Sequence, residues 1–377
     1  MKIVIAADSY KGSATTFEVA GYIEQGIRRV HPDAAILKIP LADGGEGTVD
    51  ALVSACGGRY IEQEVTGPLG SKVNAKFGLL PGDTAVVEMA AASGLPLIKE
   101  EERNPFITTT FGTGQLIKAA LNEGVKRIYV GIGGSATNDG GLGMAQALGV
   151  SFKDKSGREI GFGAKALEQL DTIDISGLDD RLKDTEVLVL SDVTNPLCGD
   201  NGASYVYGPQ KGASPGDLIK LDWLLRLFAE KIELQLGVSI MDVPGAGAAG
   251  GLGAGLMAFC QAEISSGIET VLKLIELEEN LKDADLVITG EGRMDFQSTQ
   301  GKAPVGVAKL AKKFGLPVIA IVGSEGEAIQ DVYDHGIDLV IDIINRPLSL
   351  QEAMDKVGEL TVNAGEKAIR AFQLNKK

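Results

Sequence analysis

Histidine is nearly absent from this 377-residue chain: His31 and His335 are the two it has. Both fall in stretches that read as exposed loops, "VHPD" and "DHGID". A catalytic imidazole is therefore not expected, and the usual Ser-His-Asp and Cys-His arrangements go with it. No G-x-S-x-G occurs, so any general base has to be a carboxylate or a lysine. Cysteine is scarce as well. Cys56, Cys198 and Cys260 are odd in number and far apart, with no C-x-x-C or Cys/His ligand spacing, which argues against a disulfide framework and a zinc site. Positive charge is in deficit: 36 Lys and Arg against 51 Asp and Glu leave a net −15, a poor balance for binding nucleic acid or an anionic membrane. No apolar run approaches the roughly 18 residues needed to span a bilayer. The opening "MKIVIAADS" is short, ends in a charge and reads as a strand rather than a signal peptide. A cytoplasmic protein is expected.

What abounds is glycine. Its 50 residues are close to twice the usual share of about 7%, and they cluster in short patches between apolar runs. The stretch "GGSATNDGGLGM" (133–144) is the densest, with Thr137, Asn138 and Asp139 in its middle. Such patches cost chain entropy on folding and point to tight loops where backbone comes close to something.

The length suggests about two domains. Seven short runs of Val, Ile and Leu end abruptly in Asp, Gly or Ser: 2–9, 35–45, 127–135, 186–193, 285–292, 317–324 and 338–344. Continuous apolar strands belong to sheets buried on both faces. Helix-period segments lie between them, at 15–30, 46–56, 112–123, 140–148, 217–235, 303–314 and 350–372. This alternation predicts an α/β fold with mainly parallel sheets. Residues 58–98 break the rhythm with three strand-like runs separated by "TGPLGS" and "PGD", which predicts antiparallel pairing. We therefore expect a doubly wound, Rossmann-like domain from 1–58 and 281–377, and an inserted α/β domain with a mixed sheet from 59–280. A split near residue 180 into consecutive halves is the alternative. "NDGGLGMAQALG" and "AAGGLGAGLMAF" share a GGLG core and read as two similar helix-entry turns.

In open α/β sheets ligands bind beyond the C-terminal ends of strands. The residues there are Asp8, Ser9 and Lys11; Asp43 and Glu46; Ser135, Thr137, Asn138 and Asp139; Ser191, Asp192 and Asn195; Glu291, Arg293 and Asp295. One such acid is usually a helix cap, and Asp8 and Asp43 could be caps. Acids after five strands are harder to explain that way, and beside a polyphosphate they suggest Mg²⁺, which shares oxygen ligands with phosphates. The glycine-rich turns at 133–143 and 245–255 precede helices and could hold phosphate on backbone N–H groups, or could merely permit close helix–sheet packing. "GAGAAG" (245–250) fits G-x-G-x-x-G but lacks a preceding strand, and no G-x-x-x-x-G-K-[ST] occurs, so neither a dinucleotide fingerprint nor a P-loop is present. The richest stretch, "GEGRMDFQSTQGKAPVGVAKLAKK" (290–313), brings Glu291, Arg293, Asp295, Gln297, Ser298 and Lys302 into one loop; "YGPQKG" reads as a surface turn carrying Lys211.

Together "IAADSYKGS", "PLADGGEGT", "EMAAASGL", "GGSATNDGGLGM", "DVTNPLCG", "YGPQKGA", "GAGAAGGLG" and "ITGEGRMDFQSTQGK" closely resemble the bacterial glycerate kinases of the type I group, in the same order from about residue 3 to residue 310. The departures are small: Leu41 stands where methionine is common, and Tyr10 and Tyr207 where phenylalanine is common. Phe296 and the "QSTQ" run also differ from the usual pattern, and none of these changes removes a charge. The resemblance implies ATP- and Mg²⁺-dependent phosphorylation of D-glycerate, usually to 2-phosphoglycerate, by a two-domain α/β protein with its site in the cleft.

On that reading Asp192 is the general base, and Lys11 and Lys302 stabilise the transferring phosphoryl group. Arg293 clamps the substrate carboxylate, with Asp8, Ser9 and Asp295 beside it. Gly133, Gly134, Ser135, Thr137, Asn138, Asp139, Gly247 and Gly250 line the nucleotide. Asp43 and Glu291 hold the metal. A kinase for another small hydroxy acid or sugar acid, or a non-catalytic sensor of a small acid, is the alternative.

Overall fold

The computed structural model describes residues 1–300 and 302–374, and of Gln297 and Gln300 the backbone alone, so the Gln297 side chain singled out above lies outside the described residues. Among the described residues there are thirteen strands: β1 (Lys2–Ala7), β2 (Ala35–Lys38), β3 (Arg59–Thr66), β4 (Lys72–Leu80), β5 (Thr84–Glu88), β6 (Arg127–Gly131), β7 (Ser151–Lys153), β8 (Thr172–Asp174), β9 (Glu186–Leu190), β10 (Glu263–Ser265), β11 (Leu286–Gly290), β12 (Val318–Val322) and β13 (Leu339–Asp342). Every apolar run read from the sequence forms a strand, although the run at 35–45 is strand only over Ala35–Lys38. The chain divides into two compact units. The first is Met1–Asp43, Asp50–Cys56 and the described chain from Ile268; the second is Gly44–Val49 and Gly57–Gly267.

In the first unit a five-stranded sheet runs β13-β12-β11-β1-β2, with all neighbours parallel. Its sequence pattern follows its strand positions. The central strands β11 (LVITG) and β12 (VIAIV) are buried at every residue, as a sheet covered on both faces requires. The edge strand β2 exposes Ala35 and Lys38, and a lysine on an edge discourages pairing with another chain. The helix Thr16–Arg28 starts with a capping box, in which the Thr15 side chain accepts from Glu18 N–H and the Glu18 carboxylate accepts from Thr15 N–H. That helix packs against Val357–Leu374 with almost no side chain between the backbones. A methyl group on Gly26 would fall 2.1 Å from the Val362 carbonyl oxygen.

The second unit holds a six-stranded sheet in the order β10-β9-β6-β5-β4-β3. Strands β5, β6, β9 and β10 are parallel, and β4 and β3 continue antiparallel as the two turns predicted. Its core has two parts. One, around Phe77, Leu116, Val130 and Leu256, packs on the sheet. The other gathers Phe152 of β7 with Phe228 and Phe259 against the small two-stranded β7–β8 sheet, with Phe152 edge-on to Phe259 at 5.6 Å between ring centres. Among the described residues no helix is long and apolar enough to cross a membrane.

Two glycines of one helix give opposite expectations. Gly21 has open space where a methyl would go, so Gly21→Ala should stabilise by about 0.5–1 kcal/mol. Gly26→Ala should cost about 1–3 kcal/mol through overpacking. Urea unfolding of both variants checks the pair; equal effects would contradict the packing described.

Candidate functional site

In the first unit the strand order reverses between β1 and β11: β2 lies on one side of β1, and β11, β12 and β13 on the other. Such a reversal opens a crevice at the C-terminal ends of the two strands. The residue after β1 is Asp8, and the residue after β11 is Glu291. Asp8 N–H donates to the Gly290 carbonyl at 2.9 Å, tying the two exits together.

Asp8 is 6% exposed and does not cap a helix; Thr15 fills that role for the helix that follows. Its Oδ1 accepts from Ser9 N–H at 2.6 Å. Burial, then the charge of Asp43, and more weakly that of Glu291, push its carboxyl up to about 7, against the opposing pull of Ser9 N–H and Lys11. Glu291 is buried too. Burial raises its carboxyl, and Asp43 adds to this, while Lys302 and Ser298 oppose it. Lys302 Nζ lies 3.2 Å from Glu291 Oε2, and Ser298 Oγ donates to Oε1 at 2.5 Å. Ser298, wholly buried, also accepts from Asp295 N–H at 3.1 Å, so it ties the Glu291 carboxylate to the main chain of Asp295. Arg293 is largely exposed and sits 3.3 Å from Asp295 Oδ2. The loop is laced to the segment after β12: Met294 N–H donates to Ser324 O at 3.1 Å, and Gly326 N–H to Met294 O at 2.8 Å.

The structure thus brings Asp8, Ser9, Lys11, Asp43, Glu291 and Lys302 into one electrostatic group, with the Arg293–Asp295 pair on the same loop. Among the described residues no group of three or more His, Cys, Asp or Glu is arranged to hold a metal by itself. Mg²⁺ shared with phosphates needs only one or two carboxylates. Hard oxygen donors that already repel one another, as Asp43 and Glu291 repel Asp8, fit that requirement.

In the second unit the 133–144 stretch divides into a tip and a root. Gly134, at φ +76°, is exposed and Gly133 half-exposed. Thr137, Asn138 and Asp139 are wholly buried. Asp139 accepts from Thr110 N–H at 2.9 Å, from the Thr110 hydroxyl, and from Gly141 and Gly143 N–H at 3.1 and 3.2 Å. Burial raises its carboxyl and these donors hold it down. Gly250, at φ +67°, would place a methyl 2.0 Å from the Thr137 carbonyl, and Gly140 N–H donates to Gly250 O at 3.1 Å. The two GGLG turns therefore lie backbone against backbone. Gly247 N–H donates to Asn195 O at 3.0 Å, which joins the second turn to the loop after β9. In that loop Asp192, half-buried, accepts from the Ser266 hydroxyl at 2.7 Å and from Gly267 N–H at 3.0 Å.

Lys211 does not lie in a surface turn. It is 1% exposed and donates to the Thr137 carbonyl at 2.6 Å. Burial pushes its amine down to about 7, with Asp139 opposing. No signal in "YGPQKG" marks it, because lysine in a Gly/Pro turn is ordinarily solvated. His335 likewise sits half-buried at the end of the 3₁₀ turn Ile329–His335 rather than in an exposed loop.

Asp8 has a stability cost with a definite sign. Its folded pKa, about 7, lies above the ordinary 3.8, so its contribution is fully present below pH ~4 and lost as pH rises through ~7. Asp8→Asn should be about 1–3 kcal/mol more stable than the parent at pH 8 and should flatten the decline between pH ~4 and ~8. Urea unfolding in metal-free buffer measures this; a variant that is no more stable at pH 8 would contradict the burial and charge crowding of Asp8.

The comparisons with known proteins agree with this architecture. The family model described as "Glycerate kinase family" matches residues 3–373. The chain is 56% identical over 354 residues to the glycerate 2-kinase of Escherichia coli strain K12, covering 94% of this chain and 93% of the relative. It is 53% identical to the glycerate kinase of Bacillus subtilis strain 168, covering 95% and 94%. A crystal structure from Salmonella typhimurium LT2, of a protein designated glycerate kinase 2, superposes with a TM-score of 0.85 at 50% identity, covering 100% of this chain and 99% of that one. The chain belongs to the glycerate kinase family.

Proposed function

We propose that the chain transfers the γ-phosphoryl group of ATP to D-glycerate and releases 2-phosphoglycerate and ADP, in the cytoplasm. The observation that carries this reading is the group at the β1–β11 switch point, where two buried acids, Asp8 and Glu291, meet the lysines Lys11 and Lys302. Phosphoryl transfer asks for positioning and charge neutralisation rather than covalent help, and no nucleophile from the protein itself is needed.

Lys11 and Lys302 neutralise charge on the transferring group. Arg293 presents a planar fork to the glycerate carboxylate, and its pairing with Asp295 orients that fork. Asp8 and Ser9 bind the acceptor. Asp43 and Glu291 would hold Mg²⁺, which supplies positive charge to the phosphate oxygens. The exposed Gly133–Gly134 tip offers backbone to the nucleotide, while Ser135, Thr137, Asn138, Asp139, Gly247 and Gly250 shape its root. Asp192 takes the hydroxyl proton, its rotamer set by Ser266 and Gly267.

A second assignment of the base has its own support. A carboxyl raised to about 7 is matched to accepting a proton at neutral pH, which makes Asp8 the other candidate for the base.

ADP release with D-glycerate and Mg·ATP, followed by phosphorus NMR of the product, tests the reaction: a 2-phosphate signal supports it, and no glycerate-dependent ADP contradicts it. Asp192→Asn should lower kcat by about 10²-fold or more with glycerate binding retained. Near-normal turnover there, with collapse in Asp8→Asn, would move the base to Asp8. Arg293→Lys should raise KM for glycerate more than for ATP; the reverse would place Arg293 on the nucleotide side.

A further inference from the structure

We propose that Lys211 is a positioning residue, which holds the root of the 133–143 loop in the shape its tip needs to meet substrate. Its ammonium is buried and donates to the main-chain carbonyl of Thr137. On its other side the same carbonyl meets Gly250, where no side chain fits. The peptide between the exposed tip and the Asp139 anchor is therefore gripped between one lysine and one glycine. The lysine is itself anchored. It ends the 3₁₀ turn Pro209–Lys211, and the turn's Gln210 carbonyl accepts from Arg103 Nη1 at 3.3 Å.

A buried lysine is a costly way to satisfy one carbonyl, since burial opposes its charge. Water or a neutral donor would serve if satisfaction were all that mattered. Beside the tie, Thr137 Oγ1 and Asn138 Oδ1 are buried with no hydrogen-bond partner among the described residues. Asn138 is held by its amide instead, donating to Ser204 Oγ at 3.0 Å. Buried polar atoms are almost always paired, and exceptions gather where function holds a conformation in place. Lysine, lowered into this setting opposite Asp139, gives the loop root a rigid tie that apolar packing would not provide.

The proposal rests on the reading that this loop meets a substrate, and the experiment separates the two. Lys211→Met removes the donor, and Lys211→Gln keeps a shorter, neutral one. Phe77→Leu, in the core of the same unit, controls for lost stability alone. Melting temperatures and steady-state KM and kcat for both substrates are measured on the full chain below its unfolding range. Lys211→Met should raise KM for ATP about tenfold with a smaller change in kcat, and Lys211→Gln several-fold. Phe77→Leu should melt lower with KM unchanged. A normal KM for both substrates in Lys211→Met, despite a lowered melting temperature, makes Lys211 a purely structural residue and overturns the proposal. If Lys211→Met does not fold, Lys211→Gln is read against Phe77→Leu in the same way. A rise in KM for glycerate alone upholds the positioning role and overturns the assignment of the loop to the nucleotide.

Discussion

Burial of carboxylates at the exit of two adjacent strands, sharpened by their mutual repulsion, is the constraint around which the first unit is arranged. The strand order places the ends of β1 and β11 side by side, and an acid follows each strand at once, with Asp43 close enough to be felt by both. Such a cluster is unfavourable for folding. The chain tolerates it through local compensation: a backbone N–H and Lys11 for Asp8, a serine and Lys302 for Glu291. Compensation is incomplete, since both carboxyls remain raised. An incompletely neutralised group of buried acids in a crevice is what an enzyme keeps when incoming cations complete the balance.

The second unit solves a different problem, which is bringing backbone to backbone. Its glycines are concentrated where two helix-entry turns cross, so Thr137, Gly140 and Gly250 meet without side chains between them. The shared GGLG pattern follows from this: each turn must be bare because the other one lies on it. Close packing, one of the two explanations open for these glycines from the sequence, accounts for the root of the loop. The exposed tip at Gly133 and Gly134 is left for the other.

Much of this was legible in the residues. The buried parallel strands announce themselves as unbroken apolar runs, and "TGPLGS" and "PGD" mark the antiparallel β3–β4–β5 turns. The acids after β1 and β11 were visible as candidates, since the principle that ligands sit at strand exits needs no coordinates. Other features left no trace. The two-way role of Ser298 depends on loop geometry rather than residue type. Burial of Lys211 comes from the segment packed around it, so a local reading of a Gly/Pro turn places it in solvent. The β7–β8 sheet, three residues to a strand, is too short for any periodicity to emerge.

The charge state of Asp8 is the most direct probe of this account. Carbon-13 NMR of aspartate carboxyls, followed from pH ~4 to ~9 in metal-free protein and assigned by comparison with Asp8→Asn, reports it without reference to turnover. The account predicts one carboxyl that titrates near 7 and vanishes in the variant. Finding every aspartate ionised by pH ~5 would mean that the switch point neither withdraws Asp8 from water nor crowds it with charge, and the electrostatic basis proposed for the site would fail.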